Sequence, residues 1–325
     1  MALNHLKGNG EPQVKEQVVK AKFLGALVGT GLGDALGAPF EGRREVKPQD
    51  VERLAEAREV LTYTDDTHMM VGVAESLVRT GGFDGEDMAR TFMENYEREP
   101  FRGYGAGPPR IFRGIKAGGA WDEVAQGLYG GGSYGNGSAM RVAPIGVFYY
   151  NNPALLTEIA CKSSQITHAH KLGKEGAALQ AYAIALVTNL KPREAFDQSD
   201  FLAKLIGYVS GAIYKEKLSR IPALLRQPDK SKIIMELGNG IEAFNSVPTA
   251  IYSFLTQPDS FAPAVLHAVS LGGDTDTIGA MAGAISGAYL GIESIPDSWR
   301  NKLENRRYIE ELAQKLWMGF RGSRL

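Results

Sequence analysis

The chain has 325 residues, 44% of them hydrophobic, with 36 Lys and Arg against 37 Asp and Glu for a formal net charge of −1. That is enough apolar material for a sizeable core, and the near-cancellation of charge excludes a protein drawn to nucleic acid or an anionic membrane by its overall field. Cys161 is the single cysteine, so no intrachain disulfide forms, which fits a reducing compartment.

Residues 1–13, with Gly, Asn and Pro, read as a disordered leader, and 14–325 as one domain. Apolar residues at helical spacing begin at once and cover 14–36. The apolar run 23–40 is interrupted by Asp34 and crowded with glycine. It follows a charged leader without a small-residue cleavage pattern, so neither a signal peptide nor a membrane span is expected. A soluble, intracellular, cytoplasmic protein is the reading. Helices are expected next over 64–79 and 85–98, each opened by acidic or capping residues. Further helical patterns cover 138–150, 153–164, 173–190, 201–225, 248–256, 262–271, 275–290 and 304–318. No run alternates as a strand, so the fold class is all-α. The charged stretch 191–229 reads as an insertion or a solvated helix pair. Glycine costs roughly 1 kcal/mol relative to alanine inside a helix; the Gly/Ala-rich stretch 279–288 therefore predicts a helix axis closely approached by another.

Two segments gather carboxylates at predicted helix starts: Thr64, Asp65, Asp66 and Thr67, and then Gly272, Gly273, Asp274, Thr275, Asp276 and Thr277. Thr and Asp at a helix start serve as caps and suit the dipole. A cap needs one side chain, and each segment spends several. Several anionic oxygen donors are also what a hard cation such as Mg²⁺ takes, while zinc is disfavoured because no Cys or His pair stands nearby at zinc spacing. From the residues alone, caps and metal site are equally good readings. Glu41, after Gly37 and Pro39, falls on a loop and by itself carries no role.

The run Tyr129 to Ser138 holds Gly131, Gly132, Ser133, Tyr134, Gly135, Asn136 and Gly137 ahead of a predicted helix. Exposed amides leading into a helix start suit an anion, and the tyrosines offer a face to a base; a flexible linker has the same composition. The run matches neither the P-loop nor the dinucleotide fingerprint. His168 and His170, two apart, are poor partners for one metal, and a loop or hydrogen-bonding role is expected.

In combination and order, Gly33-Asp34-Ala35-Leu36-Gly37, Glu41, Thr64 to Thr67, Arg102 to Gly107, Gly132 to Gly137, Ala139-Met140-Arg141, Thr167-His168 and Gly272 to Thr277 resemble the ADP-ribosylglycohydrolase family over about 23–318. Within it, the segment 236–252 is similar to the branch that cleaves serine-linked ADP-ribose and poly(ADP-ribose). The resemblance implies a compact single-domain orthogonal helical bundle with a di-metal centre of two Mg²⁺, for which Mn²⁺ substitutes. It implies that Thr64, Asp65 and Asp66 hold one metal, that Asp274 and Thr277 hold the other, and that Asp276 bridges. Glu41 matches a mobile glutamate that contacts a metal, and Glu41, Asp65 and Asp276 are the implied catalytic groups. Gly131 to Gly137 would cradle diphosphate and adenosine, with His168 and Ile241 nearby. Leu128 stands where that branch has an adenine-sandwiching phenylalanine, which leaves Tyr129 or Tyr134 as the ring. The implied partners are ADP-ribosylated protein or poly(ADP-ribose) and the product ADP-ribose, met by a monomer with no nucleic-acid or membrane contact. The rival readings are an arginine-ADP-ribose hydrolase and a non-catalytic ADP-ribose binder.

Overall fold

The computed structural model describes residues 10–190 and 196–322. The expected leader lies outside the described residues up to residue 9, and residues 10–13 already belong to the first helix. The helices are α1 (Gly10–Gly37), α2 (Pro48–Ala57), α3 (Asp65–Thr80), α4 (Gly85–Arg98), α5 (Gly107–Lys116), α6 (Ala143–Phe148), α7 (Pro153–Gln165) and α8 (Lys171–Asn189). They continue with α9 (Gln198–Tyr208), α10 (Ala212–Arg226), α11 (Lys230–Leu237), α12 (Ala243–Thr256), α13 (Phe261–Ser270), α14 (Thr275–Leu290), α15 (Asp297–Arg300) and α16 (Arg306–Gly322). Among the described residues there is no strand, only isolated bridges at Leu61–Leu303 and Gly135–Glu242. The all-α, single compact domain follows.

Its spine is the antiparallel pair α1 and α14. Gly25, Gly29 and Gly33 on α1 face Gly287, Gly283 and Gly279 on α14, and Gly37 faces Thr275. A Cβ added at Gly25, Gly29, Gly33 or Gly37 would stand 2.2, 2.3, 2.0 and 2.3 Å from the facing carbonyl oxygen. Backbone therefore touches backbone at every turn, which only residues lacking a side chain allow. The entropy that glycine costs a helix is offset by this contact and by the shell around it. Helices α8, α12 and α13 pack against α14, and α3, α6 and α16 against α1. The most apolar 18 residues within Glu16–Phe40 reach a mean hydropathy of 1.3, enough by length and composition to cross a membrane, yet 83% of them are buried inside the protein. A helix that is apolar all round is what the core of such a bundle requires.

Elsewhere the elements depart from the sequence expectation in instructive ways. The helix expected over 201–225 is two, α9 and α10, broken at Val209, Ser210 and Gly211, where Glu175 accepts hydrogen bonds from the Ser210 and Gly211 amides at 2.7 and 2.6 Å. A tertiary contact makes that break. The pair is not merely solvated, because Phe201, Leu202, Leu205, Tyr214, Leu218, Ile221 and Leu224 are buried; residues 191–195 of that stretch lie outside the described residues. Helix α12 starts at Ala243, ahead of the expected 248, with Pro248 inside it; proline at a first turn is common, which misplaced the boundary. Helices α2, α5, α11 and α15 were not expected. Each is short, and α2 and α5 carry proline within their first two positions, too brief for periodicity to separate from loop.

Candidate active site

Asp34 lies on the buried face of α1 and is fully buried. Its carboxylate accepts from the Thr64 amide at 3.0 Å, the Thr64 hydroxyl at 2.9 Å, the Thr67 amide at 3.0 Å and the Thr67 hydroxyl at 2.5 Å. It satisfies amides that a helix start leaves unpaired, and so fixes where α3 begins. Thr64 is also the N-cap, its hydroxyl accepting from the Asp66 amide at 3.3 Å. With capping done by Thr64 and Asp34, neither Asp65 nor Asp66 is needed for it. Asp66 Oδ2 is buried without a hydrogen-bond partner.

The second acidic segment is built from the other end of the spine. Gly272 and Gly273 sit at φ of 74° and 75°, and they turn the chain against the loop after α1. Gly42 donates to the Gly273 carbonyl at 2.8 Å, and Gly273 donates to the Arg43 carbonyl at 2.9 Å. This backbone exchange carries Glu41, exposed at the end of a 3-10 turn (Ala38–Phe40), to the start of α14. Carboxylate oxygens of Glu41, Asp274 and Asp276 all lie within 4.8 Å of one another. Asp274 occupies the N-cap position but makes no side-chain cap bond; its Oδ2 instead accepts from Asn136 at 2.5 Å. Capping accounts for Thr64 and Asp34, and the Thr277 amide donates to Asp276 Oδ1 at 2.9 Å; Asp65, Asp66 and Asp274 need another reason.

That reason is electrostatic. Burial, with the neighbouring charges, raises Asp65 to about 7 and Asp276 to about 8. Asp66 and Asp274 are also raised, again by burial first, and Asp34 reaches about 7 through burial and the charge of Asp276. Buried carboxylates gathered this closely either hold protons or are ionised together beside a compensating cation. The donor set is all oxygen, with an orphaned carboxylate oxygen and threonine hydroxyls, and suits a hard divalent ion. Among the described residues the group close enough to share one ion is Glu41, Asp274 and Asp276.

The same cleft is lined by Glu41, Thr64, Asp65, Asp66, Asp274, Asp276 and Thr277, and from the glycine loop by Ser133, Gly135, Asn136 and Gly137. Its cavity is about 280 Å³, at the small end of ligand sites. His168 and Ile241 line it too, whereas Gly131, Gly132 and Tyr134 do not. The Tyr134 ring turns away against His170, at 5.5 Å between centroids, and Phe244, at 5.9 Å. Tyr129 takes the cleft position: it lines the cleft, holds φ of 53°, is 62% exposed, and its hydroxyl and ring lie 3.8 and 3.9 Å from where a Gly107 Cβ would be. Leu128 stays partly buried against the core. The loop is not a free linker. The Ala243 amide donates to the Tyr134 carbonyl at 3.0 Å and the Asn136 amide to the Ile241 carbonyl at 2.9 Å.

His170 caps α8, its Nδ1 accepting from the Leu172 amide at 3.2 Å, so it has a hydrogen-bonding role. Three residues went unassigned by sequence reasoning. Asp34 was signalled as a carboxylate interrupting an apolar helix, but its partners are 30 and 33 residues away in the chain. Arg141, fully buried beneath the glycine loop, follows an unremarkable Ala-Met pair. Gly103 lies beside Asp65, its added Cβ 3.5 Å from Oδ1, and with Gly105, Ala106, Gly107 and Pro108 forms a wall of the cleft nearly free of side chains.

The ADP-ribosylglycohydrolase family model matches residues 15–325. An ADP-ribosylhydrolase ARH3 from Bos taurus is 39% identical over 345 residues, covering 93% of this chain and 94% of its own length. The Homo sapiens protein of that name is 37% identical over 345 residues, with 93% and 94% covered. A solved structure described as an ADP-ribosylglycohydrolase-related protein complex superposes with a TM-score of 0.73 at 26% identity, covering 93% of this chain and 99% of that one.

Proposed function

The chain belongs to the ADP-ribosylglycohydrolase family, hydrolases acting on ADP-ribose, and from that premise we propose that it is a magnesium-dependent hydrolase releasing ADP-ribose from serine, with slower trimming of poly(ADP-ribose). The observation that carries the reading is one cleft in which two buried acidic helix starts, a loop glutamate and a glycine loop face each other. Thr64, Asp65 and Asp66 would hold one ion, Asp274 and Thr277 a second, with Asp276 between them and Glu41 at the edge. When bound, such cations supply electrostatic stabilisation for charge developing on the distal ribose.

The chain's own residues do the rest. The glycine loop, a backbone surface with little side chain, suits the diphosphate, and Tyr129 offers its ring to the base. Glu41, exposed and on a loop, is the proton-transfer group for the departing oxygen. The cleft's carboxylates all belong to the acidic cluster, leaving none to clamp a guanidinium, and this favours an oxygen acceptor over arginine. Side-by-side incubation with serine-linked and arginine-linked ADP-ribosyl peptides, in Mg²⁺ or in EDTA after dialysis, tests the reading. Free ADP-ribose is expected from the serine peptide in Mg²⁺ alone. Full turnover in EDTA would remove the metals, and a higher kcat/KM on the arginine peptide would overturn the acceptor.

A further inference from the structure

Every partner of the buried Arg141 guanidinium is uncharged. Nη1 donates to the Gly137 carbonyl at 3.1 Å and to Thr167 Oγ1 at 2.8 Å, Nη2 donates to the Ser163 carbonyl at 2.9 Å, and the group lies 4.7 Å from the centre of the Phe92 ring. Thr167 Oγ1 in turn stands 2.7 Å from His168 Nδ1. A hydroxyl has one hydrogen and two lone pairs, and Arg141 occupies one lone pair. If His168 Nδ1 carried the ring proton, it would take the second lone pair. The Thr167 hydrogen, on a buried residue, would then lack an acceptor, which interiors avoid. If Thr167 donates to Nδ1, all these groups are satisfied, and the ring proton sits on Nε2. That atom is at the cleft: His168 lines it, and Cβ atoms added at Gly135 and Gly137 would stand 3.4 and 2.9 Å from Nε2. Among the described residues no protein group bonds to it.

We propose that Thr167, pinned by Arg141, locks His168 as its Nε2–H tautomer, a neutral donor aimed at an oxygen of the bound ligand. The inference rests on the cleft being an ADP-ribose site, and the oxygen then belongs to the ribose–diphosphate portion. Neutrality follows from the same arrangement, since burial and the nearby guanidinium hold the imidazole pKa down to about 3. An uncharged donor binds an anionic or hydroxyl oxygen without repelling the cations that the acidic cluster lining the same cleft would hold. Thr167 and Arg141 act through His168 and are positioning residues.

Long-range ¹H–¹⁵N correlation of the imidazoles at neutral pH, with His168→Ala for assignment, reads the tautomer directly. The wild type is expected to show His168 protonated at Nε2 only. Thr167→Val should bring in the Nδ1–H form and weaken ADP-ribose binding about tenfold, the loss of one good hydrogen bond, while Thr167→Ser restores both. An Nδ1–H imidazole in the wild type, or a tautomer unmoved by Thr167→Val, overturns the relay. If the valine variant does not fold, the wild-type spectrum decides by itself. Absence of ADP-ribose binding by a wild type with the expected tautomer overturns the proposed function and leaves the relay standing.

Discussion

Asp34 does for α3 what a capping residue does, from another helix. Because its oxygens face only donors, Asp34→Asn would point an NH₂ at an amide or hydroxyl that also donates. The cost is that of a buried unsatisfied group, about 1–3 kcal/mol, and the start of α3 is released with Asp65 and Asp66 on it. A lowered urea midpoint and a larger loss of hydrolysis are expected; an unchanged midpoint would deny Asp34 this part. The carboxylates make a second prediction, about linkage. Asp65 and Asp276 stand at about 7 and 8, against about 3.8 when unfolded, so the metal-free folded state holds protons that the unfolded state has released. Between about pH 4 and 8 these groups therefore lose stability as pH rises. Cation binding must expel the same protons, so the gain in Tm from a fixed Mg²⁺ concentration is expected to grow from pH 6 to pH 8. An equal gain across that range would mean carboxylates already ionised without a cation.

At the scale of elements, the α1–α14 ladder gives contrasting outcomes for one kind of substitution. Gly33→Ala places a Cβ 2.0 Å from the Gly279 carbonyl oxygen, which cannot be relieved without parting the helices; a loss of about 3 kcal/mol or more is expected. Gly207→Ala, on α9 with nothing within 4 Å of the new Cβ, should gain up to about 1 kcal/mol. Denaturant midpoints measured together check both, and equal effects would show that the ladder is not close-packed. The four-residue spacing of Gly25, Gly29, Gly33 and Gly37 is legible in the sequence, as is the crowding of small residues over 279–288; that these two stripes face one another is not, since nothing local pairs them. The site divides likewise. Asp65, Asp66, Asp274 and Asp276 are visible because they break an apolar pattern at helix starts. Tyr129 was harder, because its place in the cleft depends on a left-handed backbone, and Tyr134 beside it is diverted by His170 and Phe244. The split of α9 from α10 depends on Glu175, from an earlier helix, and no local pattern announces it.

Over the whole molecule, both acidic helix starts depend on one element. α1 carries Asp34, which fixes α3, and its last glycine meets Thr275 at the head of α14, where the Thr275 hydroxyl donates to the Gly37 carbonyl at 2.8 Å. A chain truncated before Thr275 should lose more than its own carboxylates: the spine would lack its partner and α3 its registration. No cooperative thermal transition and no Mg²⁺-dependent stabilisation are expected from it. A sharp transition in that fragment would show that the bundle organises without α14.

The partners in that Gly37–Thr275 hydrogen bond are 238 residues apart in the chain. During synthesis at 5–20 residues per second, α1 leaves the ribosome on the order of 10–50 seconds before the helix that covers it. For that interval a helix apolar enough to pass for a membrane span lacks its main partner and has only α3 and α6 of the shell described above to cover it. Yield in a cell therefore hangs on how α1 is sheltered while it waits, a question of timing that equilibrium stability does not reach.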